Sequence, residues 1–283
     1  MTPASNAIKW YLLLVSVAPL ALATSYNYIT EYSGKTFFDE WNYFNNVDNL
    51  TNGDVLFLDR SAAAAQKLTY VNDAGNAIMK VDNSSTISVG DKRNSIRIVS
   101  KDRVNVGSVW IADFLHVPYG CSTWPAFWST GPSWPSGGEI DTFEGINNNT
   151  RNTMTLHTEP GCVQRNAIQT SKLVNSTDCS YLLNGNQGCS VTDHETSSYG
   201  EAFHKAGGGL FVTEFAEKGI SIWFFNRSSI PSELSAEDLS SFDTSNLGTP
   251  AANWPNTGCN MAQYFKPQNL IMDITLCGDE YVR

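Results

Sequence analysis

The stretch "GGEIDTFEGI", residues 137–146, decides the fold class because it combines a strand-like apolar alternation with three carboxylates. Residues two apart in a β-strand point to the same face, so Glu139 and Asp141 should share one side of a sheet. Glu144 has the opposite parity. One extra residue, a β-bulge around Thr142-Phe143, would bring Glu144 back to that face, and bulges are over-represented beside active sites. The stretch therefore predicts a strand that presents three acids on one surface.

Strand-like segments rich in β-branched and aromatic residues recur along the chain, bounded by Gly, Asn, Asp or Ser. They lie at 53–59, 76–82, 94–100, 108–117, 139–146, 152–159, 209–217, 220–226 and 270–276. Helix signals are few, and "PSELSAEDLS", residues 231–240, favours a turn or a short helix. We therefore expect an all-β protein, a sandwich of two antiparallel sheets.

Composition limits the possible partners. Only 16% of the 283 residues are charged and the net charge is −10, so no basic patch is present to displace counterions from phosphates. We expect no nucleic-acid partner. No proline-rich linker, charge block or repeat divides the chain, which predicts one domain over residues 24–283.

The N-terminal 23 residues have the pattern of a secretory signal peptide. A single positive charge at Lys9 precedes an apolar run from Trp10 to Ala23, which ends in small residues. A membrane anchor is the alternative, but the run is shorter than the roughly 20 residues that a spanning helix needs. We expect cleavage after Ala23 and a secreted protein, extracellular or in the cell wall, with no membrane contact afterwards.

The cysteines and glycosylation sequons agree with secretion. An even number of cysteines in an oxidising compartment predicts up to three disulfides, and the sequence leaves their pairing open. The cysteines are Cys121, Cys162, Cys179, Cys189, Cys259 and Cys277, and the N-x-S/T sequons are at Asn49, Asn83, Asn148, Asn175 and Asn226. A zinc site is the alternative, but no Cys-x-x-Cys or His-x-x-x-His spacing occurs.

The spacing of the acids suits glycoside hydrolysis. With the bulge counted out, Glu139 and Glu144 lie four strand steps apart, roughly 13 Å between Cα atoms. Side chains that lean together would bring the carboxyl groups to roughly 5–6 Å, which matches the separation in a retaining glycosidase. Asp141, between them, is placed to hydrogen-bond and orient Glu139, and repulsion would keep one of the three protonated. The alternative is three solvent-facing acids on an ordinary strand.

Aromatic residues precede the acids. Trp124, Trp128 and Trp134 offer flat indole faces on which sugar rings stack, although core packing is the alternative for each and we expect at least one to be core. Gly137 and Gly138 allow a sharp turn or a close ligand just before Glu139.

The segment "TWPAFW" followed by "GGEIDTFE" resembles glycoside hydrolase family 16, in its fungal laminarinase-like endo-1,3(4)-β-glucanase branch with the signature E-[hydrophobic]-D-x-x-E. Further matching stretches are "FFDEWNYF", "NSIRIVSK", "TLHTEPGC", "IWFFNRSSIP" and "WPNTGCNM". The resemblance implies a β-jelly-roll with a substrate cleft on its concave sheet. It also implies retaining endo-hydrolysis of β-1,3 or mixed β-1,3/1,4-glucans.

Position by position, the resemblance implies that Glu139 is the nucleophile, Asp141 its assisting residue and Glu144 the acid/base. It places His157 near the acid/base on the leaving-group side, with a hydrogen-bonded structural histidine as the alternative. The implied sugar-binding residues are Trp124, Trp128, Trp134 and, more weakly, Trp254. No cofactor is needed for two-carboxylate chemistry, and a structural calcium, which occurs in relatives, has no readable motif in this chain.

Two other functions remain open. One is a non-catalytic β-glucan-binding protein, and the other is a cell-wall transglycosylase, although the two-residue spacer before Glu144 is more typical of the hydrolase branch. In each case we expect a monomer with a β-glucan partner. The branch usually continues beyond "CGD" with "WAG", further cysteines and a final strand, whereas this chain reads "LCGDEYVR". If the sequence is complete, we expect one strand to be missing and a sheet edge to be unpaired.

Overall fold

The computed structural model describes residues 25–234 and 241–279. The predicted signal peptide, residues 1–23, lies outside the described residues. So do residues 235–240 of the predicted turn or helix and the chain end after Asp279, on which the expectation of a missing strand falls. In the described part, no helix has the length and apolar character needed to cross a membrane.

Short strands joined by turns make up most of the described chain. In chain order they are β1 (Ser25–Asn27), β2 (Trp41–Tyr43), β3 (Asn46–Val47), β4 (Val55–Phe57), β5 (Thr69–Val71), β6 (Ala77–Met79), β7 (Arg93–Ser95), β8 (Arg97–Val104), β9 (Ser108–Phe114), β10 (Thr123–Thr130), β11 (Glu139–Glu144), β12 (Thr153–His157), β13 (Lys172–Val174), β14 (Ser190–Thr192), β15 (Gly209–Ala216), β16 (Gly219–Asn226), β17 (Ser241–Asp243), β18 (Ala252–Pro255) and β19 (Gln268–Leu276). The α-helices are α1 (Arg60–Ala65), α2 (Gly200–Lys205) and α3 (Met261–Tyr264), and single 3₁₀ turns lie at Gly34–Thr36, Arg227–Ser229, Ser232–Leu234 and Thr244–Leu247.

Two antiparallel sheets form the sandwich. The larger has the strand order β13-β14-β12-β11-β10-β19-β8-β2, and the smaller has the order β18-β16-β15-β9. Several neighbours, such as β10 and β19 or β9 and β15, are far apart in sequence, as in a jelly roll, because the chain crosses between the sheets. Smaller sheets of β3-β4-β7, β5-β6 and β1-β17 complete the fold, and β4 with β7 forms a parallel pair. The all-β jelly-roll prediction is confirmed.

Aromatic side chains fill the space between the two sheets. Phe143 of β11 meets Phe211 of β15 with ring centroids 5.2 Å apart. Three polar side chains in this layer pair with one another, as burial requires. Thr142 and Thr213 share a 2.7 Å hydrogen bond, and the Trp110 indole donates to the Thr142 hydroxyl at 3.2 Å. The face of β11 opposite to the acids is therefore fixed in the core.

Each predicted strand segment contains a strand, and residues 94–100 contain parts of two, β7 and β8. The main omission is β10, which lies in the middle of the larger sheet. Its sequence "TWPAFWST" carries Pro125 and two tryptophans, so the apolar and polar residues do not alternate. The strand is defined instead by its pairing with β11 and β19.

Two disulfides are present among the described residues. Cys162 bonds to Cys259 across 97 positions, and Cys179 bonds to Cys189 across 10. Cys121 and Cys277 take no part in these two bonds. Two of the up to three predicted disulfides are therefore found.

The two disulfides should differ in their effect on stability. A longer closed loop removes more entropy from the unfolded chain, which gives about 4.7 kcal/mol for the longer loop and about 2.7 kcal/mol for the shorter one. We expect a Cys162→Ser/Cys259→Ser double variant to lose about 2 kcal/mol more unfolding free energy than a Cys179→Ser/Cys189→Ser double variant. Urea denaturation of both proteins checks this order, and equal or reversed losses would contradict it.

Candidate active site

A cleft of about 730 Å³ lies over the larger sheet, and the predicted acids and aromatics line it. Glu139, Asp141 and Glu144 face it from β11. The strands on either side contribute Trp124, Trp128 and His157, and the turn before β11 contributes Trp134. The structure therefore brings all seven predicted site residues to one surface.

The predicted bulge in β11 is confirmed by the strand register. On the β12 side, Asp141 lies opposite Thr155 and Glu144 lies opposite Thr153, so three steps along β11 match two along β12. The register with β10 shifts at the same place. The extra residue returns Glu144 to the cleft face while Phe143 stays in the core.

Asn152, which sequence reasoning missed, holds the bulge. A bulge takes backbone groups out of the strand ladder, and buried ones need other partners. The Asn152 side chain supplies both: its oxygen accepts from the Glu144 N–H at 2.9 Å, and its amide donates to the Thr142 carbonyl at 3.0 Å. Asn152 is fully buried. Nothing in its sequence context marks this role, which appears only once the bulge is located.

Each glutamate receives a hydrogen bond from a tryptophan. The Trp124 indole N–H donates to Glu144 Oε1 at 2.7 Å, and the Trp134 indole N–H donates to Glu139 Oε2. Trp124 is only 9% exposed, whereas Trp134 is half-buried. The indoles were expected to stack against sugars, and the structure adds a second task, since they also orient the acids.

Trp254 does not belong to the cleft. Its side chain is fully buried in the core cluster, and its indole donates to the Cys189 carbonyl at 3.2 Å. The expectation that it binds sugar is therefore wrong. At least one of Trp124, Trp128 and Trp134 was expected in the core. Trp124 and Trp128 are buried, but all three line the cleft. The sequence does not separate Trp254 from Trp134, because both precede a proline in a polar stretch.

His157 and Asp141 form a buried pair. His157 Nε2 lies 3.4 Å from Asp141 Oδ2, and Nδ1 lies 2.9 Å from Asn186 Oδ1. The register places His157 opposite Glu139 and not opposite Glu144, which differs from the expected position on the acid/base side. Its contacts with Asp141 and Asn186 agree with the alternative of a hydrogen-bonded histidine. Both partners line the cleft, so the histidine is also part of the site.

The acids shift one another's protonation. Burial, and then the charge of Glu139, raises the pKa of Asp141 well above its usual range. Burial alone would lower the pKa of His157, but Glu139 and Asp141 outweigh it and raise that pKa to about 10. The cluster therefore holds protons at a pH where isolated side chains would release them.

Two residues at another part of the cleft, Arg97 and Asp273, were also missed. The Arg97 guanidinium lies over the Trp128 ring at 5.1 Å and over the Phe44 ring at 4.9 Å. Its Nε is 3.8 Å from Asp273 Oδ2. Burial raises the pKa of Asp273 to about 7, against the opposing effect of Arg97. Alternation alone assigns Arg97 and Asp273 to strand faces and does not reveal that they meet at Trp128.

One group in the described part offers three possible metal-ligand atoms within 4.8 Å of one another, namely Glu139, Asp141 and His157. Glu139 already accepts the Trp134 N–H, and His157 Nε2 lies 3.4 Å from Asp141 Oδ2. We assign no metal to the group.

Comparisons with known proteins agree with this geometry. Residues 41–281 match the family model described as "XgeA-like, catalytic GH16 domain". A curated relative, a probable endo-1,3(4)-β-glucanase of Aspergillus fumigatus, is 38% identical over 270 residues, covering 94% of this chain and 40% of the relative. The chain spans between 40% and 61% of the length of the first curated relatives it matches.

Two solved structures are similar in sequence and fold. Laminarinase 16A of Phanerochaete chrysosporium, solved with β-glucans in its donor and acceptor sites, shares 35% identity at a TM-score of 0.84, covering 90% of this chain and 86% of that one. An elongating family 16 β-1,3-glucosyltransferase shares 38% identity at a TM-score of 0.79, covering 87% and 81%.

Removing the side chain that holds the bulge should weaken the whole sheet. Asn152→Ala leaves the Glu144 N–H and the Thr142 carbonyl buried without partners, which should cost about 2–4 kcal/mol of unfolding free energy. Urea denaturation measures the loss. Asn94→Ala is the matched control, because its amide bonds to Gln66 near the surface, and it should cost less than about 1 kcal/mol. Similar losses in the two variants would contradict the role of Asn152.

The raised pKa of His157 predicts a pH-dependent stability. A histidine whose pKa is higher in the folded state than its unfolded value of about 6.5 stabilises the fold below that pH, and the contribution is lost as pH rises through the folded value. The stability difference between wild type and His157→Gln should therefore shrink by at least about 1.4 kcal/mol between pH 6.5 and 10. His194→Gln, at a half-exposed side chain, is the control and should change less. A difference that stays constant or grows with pH would contradict the assignment.

Proposed function

The chain belongs to glycoside hydrolase family 16, and we propose that it is a secreted, retaining endo-β-glucanase that cleaves β-1,3 or mixed β-1,3/1,4 linkages. The observation that carries the proposal is the bulged strand β11, which turns Glu139, Asp141 and Glu144 toward one cleft. The names of the similar proteins, a probable endo-1,3(4)-β-glucanase and a laminarinase, support the substrate class.

In the proposed mechanism, a carboxylate oxygen of Glu139 attacks the anomeric carbon while the bond from that carbon to the leaving oxygen breaks. Glu144 gives its proton to the leaving oxygen. Glu144 then takes a proton from water as the water displaces Glu139, so the anomeric configuration is retained overall.

The surroundings of the two glutamates support these roles. A nucleophile must be ionised, and Glu139 accepts the Trp134 N–H and lies opposite His157, whose raised pKa favours the cation. Asp141, whose raised pKa favours the neutral acid, is available to donate to Glu139. The charge of Glu139 acts on Asp141 and on His157 more strongly than the charge of Glu144 does.

The charge of the cleft favours a neutral polysaccharide. Its lining includes the acidic side chains of Asp48, Glu139, Asp141, Glu144 and Asp273, and the Arg97 guanidinium is paired with Asp273. An acidic polymer would be repelled, whereas a glucan carries no charge. Indoles along the same cleft offer apolar surface to sugar rings.

Secretion is supported by the two disulfides, since such bonds persist in oxidising compartments. The N-terminal signal pattern and the sequons agree with it.

A transglycosylase is the second candidate, favoured by the similarity to an elongating β-1,3-glucosyltransferase. In that reaction an acceptor sugar, not water, displaces Glu139. The binding-protein alternative is disfavoured, because all three acids and the indole donors to both glutamates are present in the cleft.

The proposed nucleophile should be indispensable. Glu139→Gln removes the covalent step and should lower kcat on laminarin by at least about a thousandfold. Reducing-sugar release from laminarin and lichenan is the measurement. Glu40→Gln, at an exposed ion pair with Lys101, is the control and should keep wild-type activity.

No release by the wild-type protein, or undiminished release by Glu139→Gln, would overturn the proposal. Chromatography of the products separates the two candidates, because hydrolysis shortens the glucan whereas transfer also yields chains longer than the substrate.

A further inference from the structure

The loop closed by the Cys179–Cys189 disulfide brackets His157. At one end, the Cys179 carbonyl accepts from the N–H of Thr158, the residue after His157, at 2.8 Å. At the other, the Cys189 N–H donates to the carbonyl of Leu156, the residue before His157, at 3.2 Å. Both neighbours of His157 are thus tied to one loop, whose disulfide-bonded ends are 10 positions apart in sequence.

Between its cysteines, the loop turns so that Asn186 meets the imidazole. Asn184, Gly185, Asn186 and Gly188 all have left-handed backbone conformations, with φ between 51° and 64°. Asn and Gly tolerate this region better than other residues. The turn brings Asn186 Oδ1 to 2.9 Å from His157 Nδ1.

Gly188 packs against the His157 imidazole near Cε1. A Cβ at this position would lie 3.0 Å from His157 Cε1 and 2.5 Å from the Leu156 carbonyl oxygen, both too close. The loop backbone therefore packs directly against the edge of the imidazole ring, which leaves the ring little room to rotate.

The contact decides which nitrogen faces Asp141. An amide oxygen only accepts hydrogen bonds, so Nδ1 must carry a hydrogen. Nε2 is then the nitrogen 3.4 Å from Asp141 Oδ2. One proton lies between Nε2 and Oδ2 when the pair is bonded, on the nitrogen if His157 is a cation and on the oxygen if it is neutral.

We propose that Asn186 is a positioning residue, and that the Cys179–Cys189 loop holds it so that His157 presents Nε2 to Asp141 and thereby orients Asp141 toward Glu139. The proposal rests on the proposed function of the cleft. Loss of the Cys179–Cys189 disulfide should therefore reduce activity more than its small contribution to stability would suggest.

A pair of glycine variants isolates the side-chain contact. Asn186→Gly removes the acceptor without backbone strain, because glycine adopts positive φ freely. Asn184→Gly is the matched control, since Asn184 is in the same loop, has the same backbone conformation and is exposed. Asn186→Gly should lower kcat on laminarin by about 10- to 100-fold with KM changed by less than about threefold. Asn184→Gly should stay within about twofold of wild type.

Asn186→Asp tests the same contact by rescue. A carboxylate accepts from Nδ1–H as the amide does and has a similar shape, so this variant should recover most of the lost kcat and move the pH profile toward alkaline pH.

The two disulfides give an independent test. The double cysteine-to-serine variant that lacks Cys179–Cys189 should lose more activity than the variant that lacks Cys162–Cys259. The variant that lacks Cys162–Cys259 should lose more unfolding free energy. If both disulfides served stability alone, the variant with the larger loss of stability would also show the larger loss of activity.

Nuclear magnetic resonance titration measures the pKa of His157 directly and does not depend on glucanase activity. The imidazole pKa should fall by about one unit in Asn186→Gly and stay unchanged in Asn184→Gly. An inactive wild type with this shift would reject the glucanase and retain the contact. An active wild type with no shift in Asn186→Gly, or equal losses of kcat in the two glycine variants, would overturn the positioning role.

Discussion

The single extra residue in β11 is the constraint on which the site depends. In a regular strand, Glu144 would point between the sheets and Phe143 would point into the cleft, because side chains alternate strictly. The bulge places Phe143 against Phe211 and Glu144 in the cleft at once. Its cost is two backbone groups removed from the ladder, and the Asn152 side chain offsets that cost by bonding both.

The parts of the fold and site that could be predicted are those encoded over a few neighbouring residues. Alternating apolar residues located the strands, and the conflict of parity at Glu144 located the bulge. Strand β10 could not be found this way, because Pro125 and its tryptophans interrupt the alternation. Asn152 and Asn186 act through partners that only the folded sheet brings close. Polar residues before a strand or in a turn are common, so their sequence carries no signal for these roles.

The choice of tryptophan as hydrogen-bond partner suits a site with several acids. An indole N–H donates but carries no charge, so it orients a carboxylate without forming an ion pair. A lysine or arginine in place of Trp124 would lower the pKa of Glu144 and hold it as an anion, which the proposed acid/base role of Glu144 does not allow. The guanidinium in the cleft, that of Arg97, is paired with Asp273 and stacked on Trp128. The indoles of Trp124 and Trp134 therefore orient the acids and also line the cleft.

The small disulfide loop shows how a position can be fixed where the sheet offers no support. A turn with four left-handed residues forms few ladder hydrogen bonds, so ordering it costs conformational entropy that packing does not recover. Covalent closure reduces the number of conformations open to the loop before His157 is engaged. The backbone bonds from Cys179 and Cys189 to the neighbours of His157 then set the register. Asn186 reaches the imidazole at the end of β12 from a turn that is partly exposed, and a short covalent loop is a direct way to hold it there.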